Sequence, residues 1–202
     1  MIINNFNYLD NMIELHRRQS MMFNITDCEL YSKVINPDTS SAELEEIFMN
    51  NEYNSSVKSC IAKHPNASLF VLKQLAEDSD VTIRAEVAAN KNSSATILTK
   101  LANDPNKNIR HQVALNENTP DMILRKLLVN DTSYEMKHYI AYNRNTPDDV
   151  LIILANDEDW RIKWYIMKNE NISTKLLKKL AEDSDADIRD MANNILKERM
   201  NH

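Results

Sequence analysis

Residues 143–163, with the sequence NRNTPDDVLIILANDEDWRIK, contain the pattern that decides the fold of this chain. A threonine, a proline and an aspartate (residues 146–148) stand in the order typical of a helix start, with a capping hydroxyl before a first-turn proline and an acid behind it. Leu151, Leu154 and Ala155 then follow at the i, i+3, i+4 spacing of an apolar helix face. The stretch therefore predicts a short amphipathic helix, which we name helix A.

The same pattern repeats from residue 34 to about residue 195. The leucine that begins helix A recurs every 26 to 28 residues, as Leu44, Leu72, Leu98, Leu124, Leu151 and Leu177. A second apolar column predicts a helix B in each repeat and consists of Val57, Ile83, Ile109, Met136, Ile162 and Ile188. Because two helices of about ten residues cannot bury their apolar faces alone, the repeats must stack on one another. The sequence thus predicts an all-α solenoid of six repeats with one continuous core.

The ends of the repeats carry their own signals. Helix B is followed by a residue that we expect to adopt positive φ, and in this chain without glycine the column is Asn36, Asn90, Asn116, Asn143 and Asn169, with His64 in the second repeat. Residues 1–33 are predicted to form an N-terminal helical cap, with a helix at about residues 10–22. Residues 34–195 are the repeat array, and residues 196–202 a polar C-terminal tail.

Composition excludes several classes of function. Without glycine the chain cannot form a dinucleotide fingerprint, a P-loop or a nucleophile elbow. The sequence contains no run of 18 apolar residues and no secretory signal at its start, so neither a membrane span nor secretion is expected. Cys28 and Cys60 are too few for a disulfide framework and favour a cytoplasmic location. A net charge of −6 makes nucleic acid and anionic membranes unfavourable partners.

The repeat N-x-N-T-P-x-x-x-L-x-x-L-A-x-D-x-x-W-x-I-[RK], as in residues 143–163, resembles the variant leucine-rich repeats of bacterial proteins, which are related in shape to HEAT-like repeats. This resemblance implies a right-handed superhelix of paired short helices, one of which is either α-helical or 3₁₀, and it implies no enzymatic activity. Some members carry a cysteine-ligated iron-sulfur cluster before the repeats. This chain has only Cys28 before residue 34, so no cofactor is predicted.

Two charged columns run along the array. The acids are Glu52, Asp78, Asp104, Asp131, Asp157 and Asp183, and the bases six residues later are Lys58, Arg84, Arg110, Lys137, Lys163 and Arg189. A ladder of bases suits a phosphate backbone, as in HEAT-like DNA glycosylases. The matched acids favour a structural role instead, in which each acid caps helix B or pairs with a base of a neighbouring repeat.

Metal and catalytic sites have little support in the sequence. Cys60 and His64 lie four residues apart, and Glu135 and His138 lie three apart, but each pair supplies only two ligands. Cys60 fits better as a small core residue, and His64 as a substitute for asparagine. No catalytic grouping of serine or cysteine with histidine stands out, so we predict neither a metal site nor an enzyme.

The aromatic residues do not follow the repeat. Both tryptophans and four of the seven tyrosines lie between residues 134 and 165, in helix B of the fourth and fifth repeats. Tyr134 aligns with Trp160, His138 with Trp164, and Tyr139 with Tyr165. Since the repeats stack, we expect the two residues of each pair to be lateral neighbours. The predicted binding residues are Tyr134, His138, Tyr139, Trp160 and Trp164. A helical wheel places both tryptophans opposite the core column and hence in solvent. For Trp160 taken alone, packing over the groove between repeats is the favoured interpretation, whereas for Trp164 together with His138 binding is favoured.

Two functions remain on the sequence evidence. In the favoured hypothesis the protein is a non-enzymatic scaffold that binds a protein partner through the aromatic surface of the fourth and fifth repeats. In the alternative it is a HEAT-like nucleic-acid-binding or base-repair protein, whose aromatic rings contact bases and whose basic column contacts phosphates.

Overall fold

The computed structural model describes residues 27–50 and 55–201, and within them it contains thirteen α-helices and no strand. The helices are α1 (Asp27–Ile35), α2 (Ser41–Asn50), α3 (Ser55–Lys63), α4 (Leu69–Leu75), α5 (Val81–Ala89), α6 (Ala95–Leu101), α7 (Lys107–Leu115), α8 (Asp121–Asn130), α9 (Tyr134–Tyr142), α10 (Asp148–Leu154), α11 (Trp160–Lys168), α12 (Thr174–Leu180) and α13 (Ala186–Met200). This confirms the all-α helical-repeat fold. The helix predicted at residues 10–22, and Glu52, lie outside the described residues.

Each predicted repeat consists of two α-helices. Helix A corresponds to α2, α4, α6, α8, α10 and α12, and helix B to α3, α5, α7, α9, α11 and α13. Every leucine of the column that begins at Leu44 is buried, and so is every member of the column that begins at Val57. Helix B is α-helical in the described repeats, so the 3₁₀ alternative is not realised there.

Helix α1 is a helix B without a described helix A before it. Leu30 and Val34 are buried on α1, 27 residues before Val57 and Ile61, and therefore continue the same core columns. Part of the predicted N-terminal cap thus has the structure of half a repeat. At the other end α13 continues to Met200, so residues 196–200 of the predicted tail extend the last helix B.

The contacts divide the chain into two compact units, one ending at Asn92 and the other beginning at Ser93. In the first unit, α3 packs between α1 and α5. In the second unit, α9 packs between α7 and α11, and α11 packs against α13. Within each unit the B helices therefore form a stacked layer, and each A helix packs beside the B helix of its own repeat.

The threonine of the T-P-D motif has a different role from the predicted one. Pro147 is the residue that precedes helix α10, and it provides no side-chain cap. The Thr146 hydroxyl instead donates a hydrogen bond to the carbonyl oxygen of Ile140, 2.5 Å away in the preceding helix B. Thr119 makes the equivalent bond to Val113. The threonine hydroxyl thus stabilises the end of helix B. In other repeats a serine, such as Ser94 or Ser173, caps helix A.

The asparagine column does not adopt positive φ, and our expectation was wrong in this respect. No described residue has positive φ, and Asn143 has φ −66° and ψ 124°. Its buried side chain instead donates hydrogen bonds to the carbonyl oxygens of Ala114 (2.7 Å) and Asn116 (2.9 Å) in the preceding repeat. Asn169 bonds in the same way to Ala141 and Asn143. Asparagine suits this position because its amide both donates to the preceding repeat and accepts from its own turn.

His64 reproduces this bonding with an imidazole ring. Its Nδ1 atom accepts a hydrogen bond from the backbone N–H of Asn66 (3.0 Å), as Asn143 Oδ1 accepts from Asn145. Its Nε2 atom lies 2.8 Å from the carbonyl oxygen of Asn36 and must therefore be the protonated nitrogen. The predicted substitution of histidine for asparagine is confirmed, with a hydrogen-bonding reason.

We call the side chains that bond in this way the asparagine ladder; they include His64, Asn90, Asn143 and Asn169. A second column two residues later also reaches the preceding repeat. Asn92 donates to the carbonyl oxygens of Pro65 and Ala67, and Asn171 donates to that of Arg144. Within each unit, side-chain amides therefore join turns between helices B and A of successive repeats.

Candidate functional site

The charged columns join successive repeats. Lys137 Nζ lies 2.6 Å from Asp157 Oδ2 of the next repeat, and Lys163 Nζ lies 2.7 Å from Asp183 Oδ2. The three arginines of the column, Arg84, Arg110 and Arg189, donate to backbone carbonyls in the turn before their own helix B, and Arg110 also lies 3.7 Å from Asp131 of the next repeat. These interactions support the structural interpretation of the two charged columns, because the basic side chains bond to other groups of the protein.

The acids of this column are not the N-cap residues of helix B. The cap lies two residues later, at Asp159 before α11 and at Asn106 before α7. Asp157 Oδ1 accepts the backbone N–H of Asp159 and so shapes the turn that leads to the cap. Burial acts to raise the pKa of Asp157, but hydrogen bonds from Lys137 and from that N–H outweigh it and lower the pKa.

Six side chains of helices α7, α9 and α11 form a chain of ring contacts that we call the aromatic ridge: His111, Tyr134, His138, Tyr139, Trp164 and Tyr165. His138 stacks on Tyr165 with ring centroids 3.7 Å apart, and it lies 4.9 Å from Tyr139. Trp164 meets Tyr165 edge to face at 5.0 Å. The rings hold one another in place across three successive repeats.

Two cations lie over rings of the ridge. The Arg161 guanidinium lies 4.2 Å from the centre of the Tyr134 ring and is held there by hydrogen bonds to Asp159, the shortest of which is 2.6 Å. Lys168 Nζ lies 5.2 Å from the centre of the Trp164 ring. Burial raises the pKa of Tyr134, and its hydrogen bond with Tyr165 adds to that effect.

Both tryptophans are exposed, as the helical wheel predicted. Trp160 has 56% of its surface in solvent and Trp164 has 38%, whereas Ile162 between them is fully buried. Tyr134, His138 and Tyr139 are half-buried. The exposure of Trp160 is larger than a packing role over the inter-repeat groove would give.

The predicted lateral pairs are wrong by one position. His138 contacts Tyr165 rather than the aligned Trp164, and Arg161 rather than Trp160 lies over Tyr134. The reason is geometric: aligned residues on parallel helices point in the same direction and cannot face each other. The contacts instead join a residue to the one that lies one position later in the next repeat, as His111 to Tyr139 and His138 to Tyr165.

The structure adds two residues that the sequence analysis did not select. Tyr165 lies at the centre of the ridge, and His111 extends it by contacting Tyr139 with centroids 5.1 Å apart. His111 is buried, and its Nε2 atom, 4.0 Å from Asp131 Oδ2, has no hydrogen-bond partner among the described residues. Burial lowers the pKa of His111, with Asp131 opposing the effect, and burial also lowers the pKa of His138. Pairing each residue with the position that follows its aligned partner in the next repeat, and not with the aligned partner itself, would have identified both residues.

Within the described residues, no three histidine, cysteine, aspartate or glutamate side chains lie close enough together to hold a metal ion. Among these residues there is also no helix whose length and apolar character would suit a membrane span.

Comparison with known proteins gives one informative match. No family model matches the sequence, and no curated protein matches it. A solved structure described as a leucine-rich repeat variant with a novel repetitive protein structural motif is similar to this chain, with a TM-score of 0.55 and 20% identity over 86% of this chain and 67% of that one. At this identity the likeness shows the fold, so the chain has the helical-repeat architecture of a leucine-rich repeat variant.

Proposed function

We propose that this protein is a non-enzymatic helical-repeat scaffold that binds another protein through the aromatic ridge and Trp160. The observation that carries the proposal is the exposure of Trp160 (56%) and Trp164 (38%) on consecutive turns of α11. These are the two tryptophans of the whole chain, and they lie on the helix whose opposite face is fully buried core. Exposed aromatic groups of this size are the residues that most often contribute binding energy at protein interfaces.

The arrangement of the rings supports this role. Ring contacts already fix His138, Tyr165 and Trp164, so a partner loses little additional side-chain entropy when it covers them. In other repeats, the positions aligned with ridge residues hold smaller or polar side chains, such as Ala85, Gln112 and Asp190. The repeat fold therefore does not need the aromatic rings at these positions, which leaves them available for recognition.

Nucleic acid is the alternative partner, and the structure gives it less support. Arg161 and Lys168 lie over rings, as cations and aromatics do in single-strand binding sites. However, Arg161 is paired with Asp159, and Lys137 and Lys163 are engaged by Asp157 and Asp183. A surface that follows phosphates needs bases without such partners. We therefore propose a protein partner, met in the cytoplasm, where the free thiol of Cys60 stays reduced.

Site-specific cross-linking tests the proposal. A photoreactive phenylalanine analogue replaces Trp164 in one variant and Ile153, an exposed residue of α10, in a control variant. In a lysate of the source organism we expect one protein to cross-link to position 164 and not to position 153. Equal cross-linking at both positions would contradict the proposal.

The captured protein is then purified and titrated with the double variant Trp160→Lys, Trp164→His. Lys107 and His111 occupy these positions in the third repeat, so both replacements suit the fold. We expect the affinity to fall at least about tenfold, since each exposed tryptophan at an interface contributes about 1 kcal/mol or more. Unchanged affinity would contradict the proposal, and binding of a labelled single-stranded oligonucleotide by the unmodified chain would favour the alternative.

A further inference from the structure

The rings of the aromatic ridge belong to a surface that repeats from helix to helix. Helices α7, α9 and α11 each carry side chains four residues apart on one face, which are Lys107, His111 and Leu115 on α7, Tyr134, His138 and Tyr142 on α9, and Trp160, Trp164 and Lys168 on α11. Ring contacts join these helices directly, since the centroids of His111 and Tyr139 lie 5.1 Å apart and those of His138 and Tyr165 lie 3.7 Å apart. Because helices in side-chain contact have axes about 8–10 Å apart, the surface has a repeat distance of about 9 Å.

Three polar groups of this surface have no hydrogen-bond partner among the described residues. They are the indole N–H groups of Trp160 and Trp164 and the hydroxyl of Tyr142. The three residues have 56%, 38% and 53% of their surface in solvent, respectively. A partner that covers them must offer hydrogen-bond acceptors, because a buried donor without an acceptor costs free energy.

A partner segment must match both the spacing of the helices and these donors. An α-helix uses its backbone carbonyl oxygens in its own hydrogen bonds and offers none along its sides. A β-strand repeats its side chains on one face about every 6.4–6.8 Å, which does not match the repeat distance of the surface. A polyproline II helix has three residues per turn and a rise of about 3.1 Å, so its side chains recur about every 9.3 Å, and its carbonyl oxygens have no internal partner. Polyproline II is therefore the conformation that meets both requirements.

We infer that the partner contacts the aromatic ridge and Trp160 with a proline-rich segment in the polyproline II conformation, which crosses α7, α9 and α11 and carries a bulky apolar side chain at every third position. One apolar side chain contacts the rings of each helix, and backbone carbonyl oxygens of the segment accept hydrogen bonds from Trp160, Trp164 and Tyr142. This inference rests on the proposed function and names the chemistry of its partner.

The rings and the segment are both ordered before they meet. His138 stacks on Tyr165, and Trp164 meets Tyr165 edge to face, so these side chains are held by ring contacts in the free protein. Proline fixes φ near about −65°, which holds a proline-rich segment close to polyproline II without a partner. Association therefore loses little conformational entropy on either side, as in other aromatic surfaces that bind proline-rich segments.

The test is a titration of the full chain, labelled with ¹⁵N, with the peptide EPPLPPLPPLPPE, in which leucine recurs at every third position. We expect the indole N–H signals of Trp160 and Trp164 to shift, together with backbone amide signals of α7, α9 and α11. An absence of binding, or shifts confined to other helices, would overturn the inference.

Two matched peptides of the same length test the spacing and the conformation. The peptide EPPLPPPLPPPLE has the same composition with leucine at every fourth position, and EAALAALAALAAE keeps the leucine spacing but favours an α-helix. Each should bind at least about fivefold more weakly than the first peptide, because one misplaces its apolar side chains and the other offers no free carbonyl oxygens. Equal or tighter binding of EPPLPPPLPPPLE would overturn the three-residue spacing. Equal or tighter binding of EAALAALAALAAE would assign the surface to a helical partner and overturn the polyproline II segment.

Tyr142→Phe tests the role of the carbonyl oxygens, since it removes a hydroxyl and keeps the ring. The affinity for EPPLPPLPPLPPE should fall about threefold to tenfold, which is the contribution of one hydrogen bond. Tyr31→Phe, on α1 in the first unit, is the matched control and should leave the affinity unchanged. Equal affinities of the two variants would overturn the role given to the carbonyl oxygens.

The residue of the captured protein that cross-links to position 164 separates this inference from the proposed function. We expect that residue to lie in or beside a proline-rich segment. A cross-link to a helix of the partner, with affinity still lost in the double variant Trp160→Lys, Trp164→His, would leave the scaffold proposal intact and overturn the polyproline II segment. Equal cross-linking at positions 164 and 153 would instead contradict the proposed function itself.

Discussion

Helices α9 and α11 carry rings of the aromatic ridge, and each is followed by an asparagine of the asparagine ladder, yet the two sets differ in burial and in recurrence. Asn143 and Asn169 are buried, and each bonds to two carbonyl oxygens of the preceding repeat. Trp160 and Trp164 on α11 are exposed, and no other repeat has a tryptophan at either position. The ladder occurs in both units, with one histidine that imitates asparagine, whereas the ring contacts of the ridge are confined to α7, α9 and α11.

This contrast separates the residues that stacking of the repeats requires from the residues that can vary between repeats. Stacking requires each repeat to present the same groups to its neighbours, so the columns that join repeats must be alike. Residues that differ between repeats are free of that requirement. The four predictions below test this separation, beginning with the largest expected effect.

Asn143→Ala should destabilise the protein by about 3 kcal/mol, because it removes two donated hydrogen bonds and one accepted hydrogen bond at a buried site, each of which contributes about 1 kcal/mol. Urea denaturation followed by circular dichroism measures the change in the free energy of unfolding. The matched control is Asn156→Ala, which removes two exposed bonds, one donated to the carbonyl oxygen of Ile152 and one accepted from Lys179, and should cost less than about 1 kcal/mol. Equal losses in the two variants would mean that the ladder does not hold the repeats together.

Asp157→Ala should cost about 1 to 2 kcal/mol. The substitution removes a half-buried ion pair with Lys137 and the bond that shapes the turn before α11. Glu158→Ala changes an exposed neighbour and serves as the control, with an expected effect within about 0.5 kcal/mol. If Asp157→Ala had no larger effect than the control, the charged columns would not be structural.

Trp160→Lys together with Trp164→His should lower the free energy of unfolding by only about 1 kcal/mol, within the range of ordinary point substitutions. Both residues are partly exposed, and the third repeat carries the replacements at the same positions. The midpoint of urea denaturation checks this expectation. A loss as large as that of Asn143→Ala would show that the tryptophans are packing residues.

Stability should also depend modestly on pH between neutrality and pH 5. Burial lowers the pKa of His138 below its ordinary value of about 6.5, and that of His111 likewise. Below about pH 6.5 the unfolded chain binds more protons than the folded chain. The free energy of unfolding therefore has its full value above about pH 6.5 and falls as the pH decreases toward the pKa of the folded state. Urea denaturation at several pH values should show a shallower decline for His138→Phe. An unchanged decline would contradict this role of His138.

Much of the fold was predictable from periodicity. The leucine column of helix A and the Val57 column of helix B were identified from spacing, and every member is buried. Apolar spacing suffices because a repeat with short helices has few ways to bury two apolar faces. The sequence pattern predicts a cap up to residue 33, whereas Leu30 and Val34 on α1 continue the core columns.

Hydrogen-bond roles were less predictable. The asparagine column was correctly located, but its function was assigned to backbone conformation, whereas its amides bond to carbonyls 26 to 29 residues earlier. Sequence shows which residues recur and not which distant carbonyls they reach. For the same reason the aromatic residues were found but paired in the wrong register, since the direction of a side chain depends on its place around the helix.

The central claim is that the exposed aromatic residues, and not the repeated columns, form the binding surface. Tryptophan fluorescence tests it most directly, because the two tryptophans of the chain, Trp160 and Trp164, both lie at the proposed surface. Titration with the protein identified by cross-linking should shift the emission maximum to shorter wavelength, saturating with the binding curve measured on the labelled partner. Binding of that partner without any change in tryptophan emission would contradict the claim.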